Sequence, residues 1–340
     1  MKVKAIDIAR ELGISKATVS LALNNRQGVS EHTRAEVLLC KKKLEEKECS
    51  RMNPENKMTG NIIRVVVASR NLQVVRDPEM DLWTDVIVLF DQVAKSWGCS
   101  LEVVYFNLLQ ENAERMCFDC NRDNICGIIL FGTELYPEDA PLFQSIQKPV
   151  IVYDTDLRTK RYAHVIVNNS DACRMAVEYL LAHGKKRIVY LRRNKHLYNY
   201  EEKQRAFRAV MTEHNLLQDE TEQLVCMGDT INTIYENMKK YLDTHPLPDA
   251  FLTKSYHLSI GCLRAFRDKK IAVPSEVSII GVDRLPDYLT GDKQLTTIQV
   301  PHTERAMMVM SILWHEIHDS SPFKSKVYTN CRLIEGETVS

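Results

Sequence analysis

The residues best suited to binding a small molecule lie at the ends of predicted strands. Asp283 directly follows the apolar run "VSIIGV", and a carboxylate at a strand end can accept two hydrogen bonds from neighbouring sugar hydroxyls. Asp283 can equally cap a turn. Trp83 and Tyr153 can stack on a pyranose ring, although aromatic residues near strand ends more often belong to the core. These three residues are candidate effector-binding residues.

Two further clusters have the residue types of a metal or redox site but not the spacing. Cys117 and Cys120 form a CxxC pair inside a predicted helix, whereas reactive CxxC thiols usually lie at a helix amino end. His315 and His318 flank "EI", but zinc proteases need histidines four residues apart with glutamate between them. We therefore expect ordinary thiols and a solvated helix face, with no metal and no cofactor.

The motifs of common enzyme classes are missing from the sequence. It contains no GxGxxG, GxxxxGK[ST] or GxSxG pattern, so neither a nucleotide cradle nor a nucleophile elbow is predicted. The ten cysteines are scattered through 340 residues and are expected to be mostly free thiols rather than a disulfide framework. An enzyme is not expected.

The amino-terminal residues predict three short helices. Ile6, Ala9 and Leu12 lie at helical spacing before Gly13, and Ser15 is placed to cap a second helix whose inward side is Val19, Ala22 and Leu23. Ser30 is placed to cap a third, in which Val37, Leu38 and Leu44 form the buried stripe. Two helices joined by a tight glycine turn are typical of a helix-turn-helix, although a three-helix bundle that packs on another protein has the same pattern.

In a helix-turn-helix, the second helix presents its amino-terminal residues to base edges in the major groove. The candidate DNA-binding residues are Ser15, Lys16, Ala17, Thr18, Ser20, Leu21, Asn24 and Ser30.

Composition and charge agree with this prediction. The chain has 45 basic and 45 acidic residues, yet residues 1–60 contain twelve Lys and Arg against eight Asp and Glu. A basic amino end is where a DNA-binding module would need it. No signal peptide is evident, and no run approaches the ~20 apolar residues that cross a bilayer, so we expect a cytosolic protein with no membrane partner.

The stretch "IDIARELGISKATVSLALNNRQGVSEHTRAEV" resembles the DNA-binding headpiece of the LacI/GalR family of bacterial transcription regulators. The polar segment 49–60 then reads as a linker. Many family members carry a hinge-helix leucine at this point that enters the minor groove, and here the position is Glu55. In many relatives, arginine follows "TVS", where this chain has Leu21.

Beyond the linker, short apolar runs alternate with helical stretches, which predicts an α/β fold of βαβ units and parallel sheets. Alternation alone permits one large sheet or two lobes. The segments "NNSDACRMAVEYLLAHGKKRIVYL" and "SIGCLRAFRDKKIAVPSEVSIIGVD" resemble the family's periplasmic-binding-protein-like core. The resemblance implies domains of 1–48, 49–60 and 61–340, with lobe 1 over 61–163 and 296–320 and lobe 2 over 164–295 and 321–340. The predicted crossings lie near Ala163, Thr296 and Ser321.

The resemblance also implies where an effector binds. Asp283 matches the family's effector-contacting aspartate, and Lys203 stands where relatives carry arginine, a change from a planar fork to a point charge. Ser255 and Tyr256 occupy the positions of an asparagine-aspartate pair, and the family's "NPF" is replaced by "DPE" at 77–79. A carbohydrate-like effector is expected, with its usual polar contacts partly changed.

The sequence thus predicts a homodimeric transcription regulator, of the repressor type, that binds double-stranded operator DNA and a small molecule. The alternatives are a cytosolic sugar-binding protein without gene control and an enzyme of sugar or nucleotide chemistry.

Overall fold

The structure is a computed structural model that describes most of the chain outside the linker and several loops. The described residues are 5–23, 28–30, 33–41, 58, 60–70, 82–194, 197–283, 285, 293–319 and 322–340. Glu55, Asn24, Ser321 and the "DPE" segment lie outside these ranges.

The amino-terminal unit consists of helices α1 (Ala5–Leu12), α2 (Lys16–Leu23) and α3 (33–41). Gly13 makes the turn between α1 and α2 with a φ of +65°, a conformation that costs glycine little. The unit has a small apolar core of its own. Its buried members are Ile8, Ala9, Val19, Ala22, Val37 and Cys40.

Two predicted core residues of this unit are wrong. Ile6 and Leu38 are 49% and 50% exposed. The buried stripe of α1 runs through Ile8 and Ala9, so Ile6 lies off it. On α3, Cys40 is buried where Leu38 was predicted to be. Leu44 lies outside the described residues.

Both predicted serine caps are confirmed. The Thr18 amide donates to Ser15 Oγ at 3.0 Å, and the Thr33 amide donates to Ser30 Oγ at 3.1 Å. Each cap satisfies one of the amides that a first helical turn leaves without a partner.

The core contains twelve strands among its described residues. In chain order they are β1 (Ile62–Ser69), β2 (Ser100–Asn107), β3 (Ile125–Phe131), β4 (Val150–Tyr153), β5 (Ala163–Val167), β6 (Ile188–Arg192), β7 (Leu224–Cys226), β8 (Ala250–Thr253), β9 (Ser278–Val282), β10 (Thr296–Gln299), β11 (Lys326–Thr329) and β12 (Arg332–Ile334).

Helices cover the faces of these strands, and a 3₁₀ helix spans Pro137–Phe143. The α-helices are α4 (Leu82–Ser96), α5 (Ala113–Cys120), α6 (Asn169–Ala182), α7 (Tyr198–Glu213), α8 (Glu220–Gln223), α9 (Ile231–Thr244), α10 (Tyr256–Asp268) and α11 (His302–His318). None of these described helices has the length and apolar character needed to cross a membrane.

Two six-stranded sheets form two lobes. The order is β11-β5-β4-β3-β1-β2 in the first and β12-β10-β9-β8-β6-β7 in the second. All pairings are parallel except that of β10 with β12. In each sheet one strand has its two successors on opposite sides, β1 in the first and β6 in the second. Open α/β sheets bind ligands at the carboxyl ends of strands beside such a switch point.

The predicted lobe boundaries need correction at each crossing. β5 begins at Ala163 but pairs within the first sheet, and β10 begins at Thr296 but pairs within the second. The third crossing follows β11, which pairs with β5, and leads directly to β12. The chain therefore changes lobe after a strand rather than before it. β5 and β10 are largely buried strands inside their sheets, and the alternation of strands with helices does not show which sheet each of them joins.

Candidate functional site

The beginning of α2 presents polar and small side chains to solvent. Lys16, Ala17 and Ser20 are exposed, while Thr18 is half-buried and its hydroxyl lies 2.8 Å from that of Ser15. The hydroxyl pair holds the first turn together, and Lys16 stands beside it. A compact, polar helix start of this kind can enter the major groove of a duplex.

Leu21, another candidate DNA-binding residue, is less exposed than Lys16, Ala17 and Ser20. Its side chain is half-buried, and a β-carbon placed on Gly28 would lie 3.7 Å from Leu21 Cδ1. Leu21 therefore lies close to Gly28, a proximity that spacing on one helix cannot reveal.

The second lobe gathers charged residues at the carboxyl edge of its sheet. Arg193 follows β6, Lys254 follows β8 and Asp283 follows β9, and these three strands are neighbours. Because β6 and β8 flank the switch point, Arg193 and Lys254 lie where a doubly wound sheet binds its ligand. Of the three, only Asp283 was singled out from the sequence.

Lys254 is a buried lysine whose amine has no hydrogen-bond partner among the residues that the structure describes. Its side chain is 3% exposed, and Nζ lies 3.6 Å from the centre of the Tyr200 ring. Burial is the main cause that lowers the pKa of Lys254 to about 6, and the positive charges of Lys203, Arg193 and Arg192 contribute to this lowering. The charged amine is therefore disfavoured in the protein as it stands.

A cavity opens beside this amine. Lys203 from α7 and Lys254 both line it, and its remaining walls are largely apolar, from β6, β8, β9, β10 and α6. Val167 and Cys331 also contribute, so the cavity reaches the segments where the chain passes between lobes. The space itself is small, with room for about one water molecule, and its exposed lining atoms are apolar, so Lys203 and Lys254 line it with their aliphatic chains.

Asp283 is engaged within the chain. Its Oδ1 accepts a hydrogen bond from the Val300 amide at 3.1 Å and lies 3.3 Å from His302 Nε2. Its φ is +62°, which is uncommon for a residue other than glycine. Asp283 thus caps the turn that enters α11, and it is not among the residues that line the cavity.

The other predicted effector residues are dispersed around this edge. Ser255 precedes α10 and is half-buried, and none of the described residues hydrogen-bonds to its hydroxyl. Tyr256 is buried and stacks on His257 at 3.9 Å between ring centres. Tyr153 is fully buried beneath the Arg305 guanidinium, 4.4 Å from its ring centre. Trp83 lies in α4 and is not among the residues whose side chains the structure describes.

A buried polar network joins the two lobes. Arg305 from α11 donates to Asp154 Oδ1 at 2.6 Å, and both are almost completely buried. Thr133 donates to the other oxygen at 2.8 Å. From the second lobe, Asn199 on α7 donates to the Asp154 carbonyl at 2.8 Å and to Oδ2 at 3.2 Å, and Asn169 donates to Asn199 at 2.9 Å.

A second bridge lies next to this network, on the same helical turn of α7. Tyr136 from the first lobe donates to Glu201 at 3.3 Å. Burial and the adjacent Glu201 charge raise the pKa of Tyr136 to about 12, so the phenol keeps its proton. Arg70, which follows β1, lies over the Tyr136 ring and pairs with Asp139 at 2.6 Å. The first turn of α7 therefore contacts both lobes.

The members of this network and Lys254 were not predicted from the sequence. Asp154, Arg193 and Lys254 share one signal with Asp283, since each directly follows a short apolar strand. Applying that rule to every strand would have found them. Arg305 carries no comparable signal, because it is one charged residue on an ordinary helix.

The cysteine and histidine clusters show no assembled site. Cys117 and Cys120 lie inside α5 and are buried, and burial raises the pKa of both thiols. His318 Nδ1 is 2.8 Å from the Trp314 carbonyl oxygen on its own helix. Within the described ranges no group of three or more His, Cys, Asp or Glu could hold a metal, and the nine cysteines there are free.

A helix-turn-helix joined to a two-lobed α/β core with a cavity at its strand ends defines a ligand-responsive DNA-binding protein. Residues 6–45 match the model of the bacterial regulatory proteins of the lacI family, and residues 177–339 match the periplasmic binding protein-like domain. The chain belongs to the LacI family of bacterial transcription regulators.

Relatives that align with nearly the whole chain are transcription regulators. The HTH-type transcriptional regulator MalR of Clostridium butyricum is 24% identical, with 98% of each chain covered. Among solved structures, the lac repressor dimer bound to operator and an anti-inducer matches with a TM-score of 0.70 at 18% identity, over 100% of both chains. The CelR-cellobiose complex matches with a TM-score of 0.68 at 18% identity, over 97% of this chain and 98% of that one.

Removing the Arg305 charge should destabilise the protein strongly. In R305M the Asp154 carboxylate stays buried without its cation, which costs about 3–5 kcal/mol in comparable pairs. Urea unfolding should show the loss. The double variant R305M/D154N should recover part of the lost stability, because the buried charge is then also removed.

The surface variant R174M, which breaks only the exposed pairs with Glu178 and Glu213, is the control and should change little. A loss for R305M no larger than that for R174M would contradict this prediction.

Replacing Lys254 should stabilise the protein in a pH-dependent way. With a folded-state pKa of about 6 against an ordinary 10.5, the unfolded chain binds more protons between these values. The loss of folding stability caused by burying Lys254 is therefore largest below about pH 6, and it disappears as the pH approaches about 10.5. At pH 6, K254M should have a higher Tm than the unchanged protein, and its free energy of unfolding should be larger by on the order of a few kcal/mol. The difference in Tm should narrow towards pH 10. A gap that is constant or widens with pH would contradict the assignment.

Proposed function

We propose that this protein is a cytosolic repressor of transcription that acts as a homodimer and responds to a small molecule of the carbohydrate type. The observation that carries the proposal is the union, in one chain, of a solvent-facing polar helix start on α2 with a two-lobed core that has a cavity at its strand ends. The lac repressor dimer bound to operator supports the dimeric, operator-bound form.

The headpiece reads DNA through the start of α2. Lys16 reaches a guanine edge or a phosphate, Ala17 contacts a thymine methyl, and Thr18 and Ser20 bond to bases or backbone. Ser15 and Ser30 act mainly as caps, with helix-start amides directed at phosphates. Two headpieces on a dimer span half-sites ~34–36 Å apart, so the operator is roughly palindromic. Asn24 belongs to the proposed reading surface by its place in the sequence.

The effector binds at the carboxyl edge of the second lobe, between the lobes. Lys203 has the strongest support among the predicted effector residues, because it lines the cavity. Ser255 and Tyr256 begin α10 beside it, and Asp283 orients the turn that enters α11 while keeping a carboxylate at the strand end. Tyr153 and Trp83 remain proposals as stacking residues, and the complete burial of Tyr153 favours a core role for it.

The effector controls DNA affinity by changing how the lobes sit together. A ligand that prefers one lobe arrangement shifts the population towards it, and DNA affinity changes by no more than that preference. The first turn of α7 is suited to this coupling. It carries the Asn199 and Glu201 bridges to the first lobe and, one turn further on, Lys203 in the cavity.

Two other functions compete with regulation. A sugar-binding protein without gene control needs only the core, and the regulatory relatives over the full chain speak against it. An enzyme needs a reactive constellation, and turnover of a candidate sugar by the purified protein would revive that alternative.

Selection from a pool of random duplexes tests the proposed function directly. The full-length protein should enrich a roughly palindromic site, and affinity for it should fall steeply between 50 and 200 mM salt in the way that phosphate contacts produce. Equal affinity for all duplexes, or no binding, would exclude an operator-specific regulator. CelR and the lac repressor are bound to ligands in solved structures, so the selection is run without ligand first.

Leu21 should determine one letter of the operator. L21R should gain preference for guanine at the matching position, worth about 1–3 kcal/mol of discrimination, because arginine can bind guanine bidentately. L39R is the matched control, since Leu39 is exposed on α3 and receives the same charge away from the reading helix. It should tighten binding to all sequences alike. An unchanged selected site for L21R would contradict the proposed docking of α2.

A further inference from the structure

Basic groups converge on the cavity of the second lobe without an acidic partner for Lys254. Lys254 and Lys203 line the cavity, and Arg193 begins the loop next to Lys254, across the switch point between β6 and β8. The Arg193 guanidinium has its own partners, the Asp229 carbonyl and His257 Nδ1. Within the described part of the chain, Lys254 Nζ has no hydrogen-bond acceptor although the residue is only 3% exposed.

The Tyr200 ring does not compensate for this burial. A desolvated cation over an aromatic ring gains about 2 kcal/mol, whereas taking an ammonium group out of water costs several. A methionine or leucine at this position would fill the same space without that cost. A buried lysine at this position is accounted for if a negatively charged group completes the site in another state of the protein.

We propose that the effector carries an acidic group, a carboxylate or a phosphate, which binds against Lys254 Nζ and Lys203 at the carboxyl edge of the second sheet. The small space beside these lysines has room for about one water molecule, so the remainder of the ligand lies outside it, in the cleft between the lobes. This inference rests on the proposed function, because it names the chemical class of the ligand for the same cavity.

The surrounding charges favour an anion in this position. The titratable and charged groups that influence Lys254 are Arg192 and Arg193 at the end of β6, Lys203 on α7 and Cys226 at the end of β7. Three of these four neighbours are cations. An incoming anion is attracted by all of them and raises the pKa of Lys254, so its binding should take up a proton and weaken as the pH rises from about 6.

Thermal shift with a matched set of probes tests the proposal. The probes are D-glucose 6-phosphate, D-glucuronate, inorganic phosphate, inorganic sulfate and neutral D-glucose, each added to the full-length protein at pH 7 and constant ionic strength. At least one anionic probe should raise the Tm by about 3 °C or more at ten times its Kd, and neutral glucose should not. Stabilisation by D-glucuronate alone indicates a carboxylate, and stabilisation by D-glucose 6-phosphate, phosphate or sulfate indicates a phosphate group.

Variants assign the effect to the cavity. K254M should lose the shift, with at least a tenfold weaker response to the same probe, and K203M should weaken it as well. K240M is the control, because Lys240 is exposed on α9 of the same lobe, and it should respond like the unchanged protein. Circular dichroism verifies that each variant is folded. Calorimetry with D-glucuronate in two buffers should show proton uptake at pH 7.5 in the unchanged protein and none in K254M.

The proposal is overturned if no anion stabilises the unchanged protein, if neutral glucose does so equally well, or if K254M keeps the full response. Duplex selection on the same preparations separates this failure from failure of the proposed function. A protein that selects an operator but ignores the anions is still a regulator, with a neutral ligand. If the protein binds the anions through Lys254 but selects no operator, the acidic-ligand proposal stands and the proposed regulatory function is wrong.

Discussion

The buried contact of Arg305 with Asp154 is the constraint on which the core arrangement depends. Two opposite charges without water are stable only while each has the other, so α11 must stay seated on the first lobe. Asn199 from the second lobe then bonds to the same aspartate, which ties the lobe positions to the state of one carboxylate. A polar junction is well suited to a moving interface, because its hydrogen bonds exist in one geometry and are exchanged for water in another.

The cavity and this junction share one helix. The first turn of α7 contacts Asp154 and Tyr136 across the lobe boundary, and Lys203 faces the cavity one turn later. A ligand drawn towards Lys203 therefore acts on the same rigid element that holds the lobes together. This supplies a short mechanical path from binding to lobe angle, with no need for a long chain of intermediate residues. The headpiece connects to that movement through the first lobe, which follows it in the chain.

Local patterns predicted what depends on local physics. Ser15 and Ser30 were recognised as caps because a cap needs only its own three following residues, and the apolar runs identified the parallel strands. Burial of Ile8 instead of Ile6, and the packing of Leu21 near Gly28, depend on how helices cross, which spacing leaves open. Arg305 and Asp154 are 151 residues apart, and nothing near either one indicates the other. Lys254 was not predicted, because its distinguishing feature is burial without a hydrogen-bond acceptor among the described residues, which a sequence pattern does not show.

The strands β11 and β12 have a consequence for how the protein is made. β11 closes the edge of the first sheet and β12 closes the edge of the second, although both come from one short segment beyond residue 325. Neither lobe can therefore complete its hydrogen-bond ladder until the ribosome has passed that segment. Until then each sheet has an unpaired strand edge, on β5 in the first and on β10 in the second. Both lobes therefore depend on the same short carboxyl-terminal segment to complete their sheets.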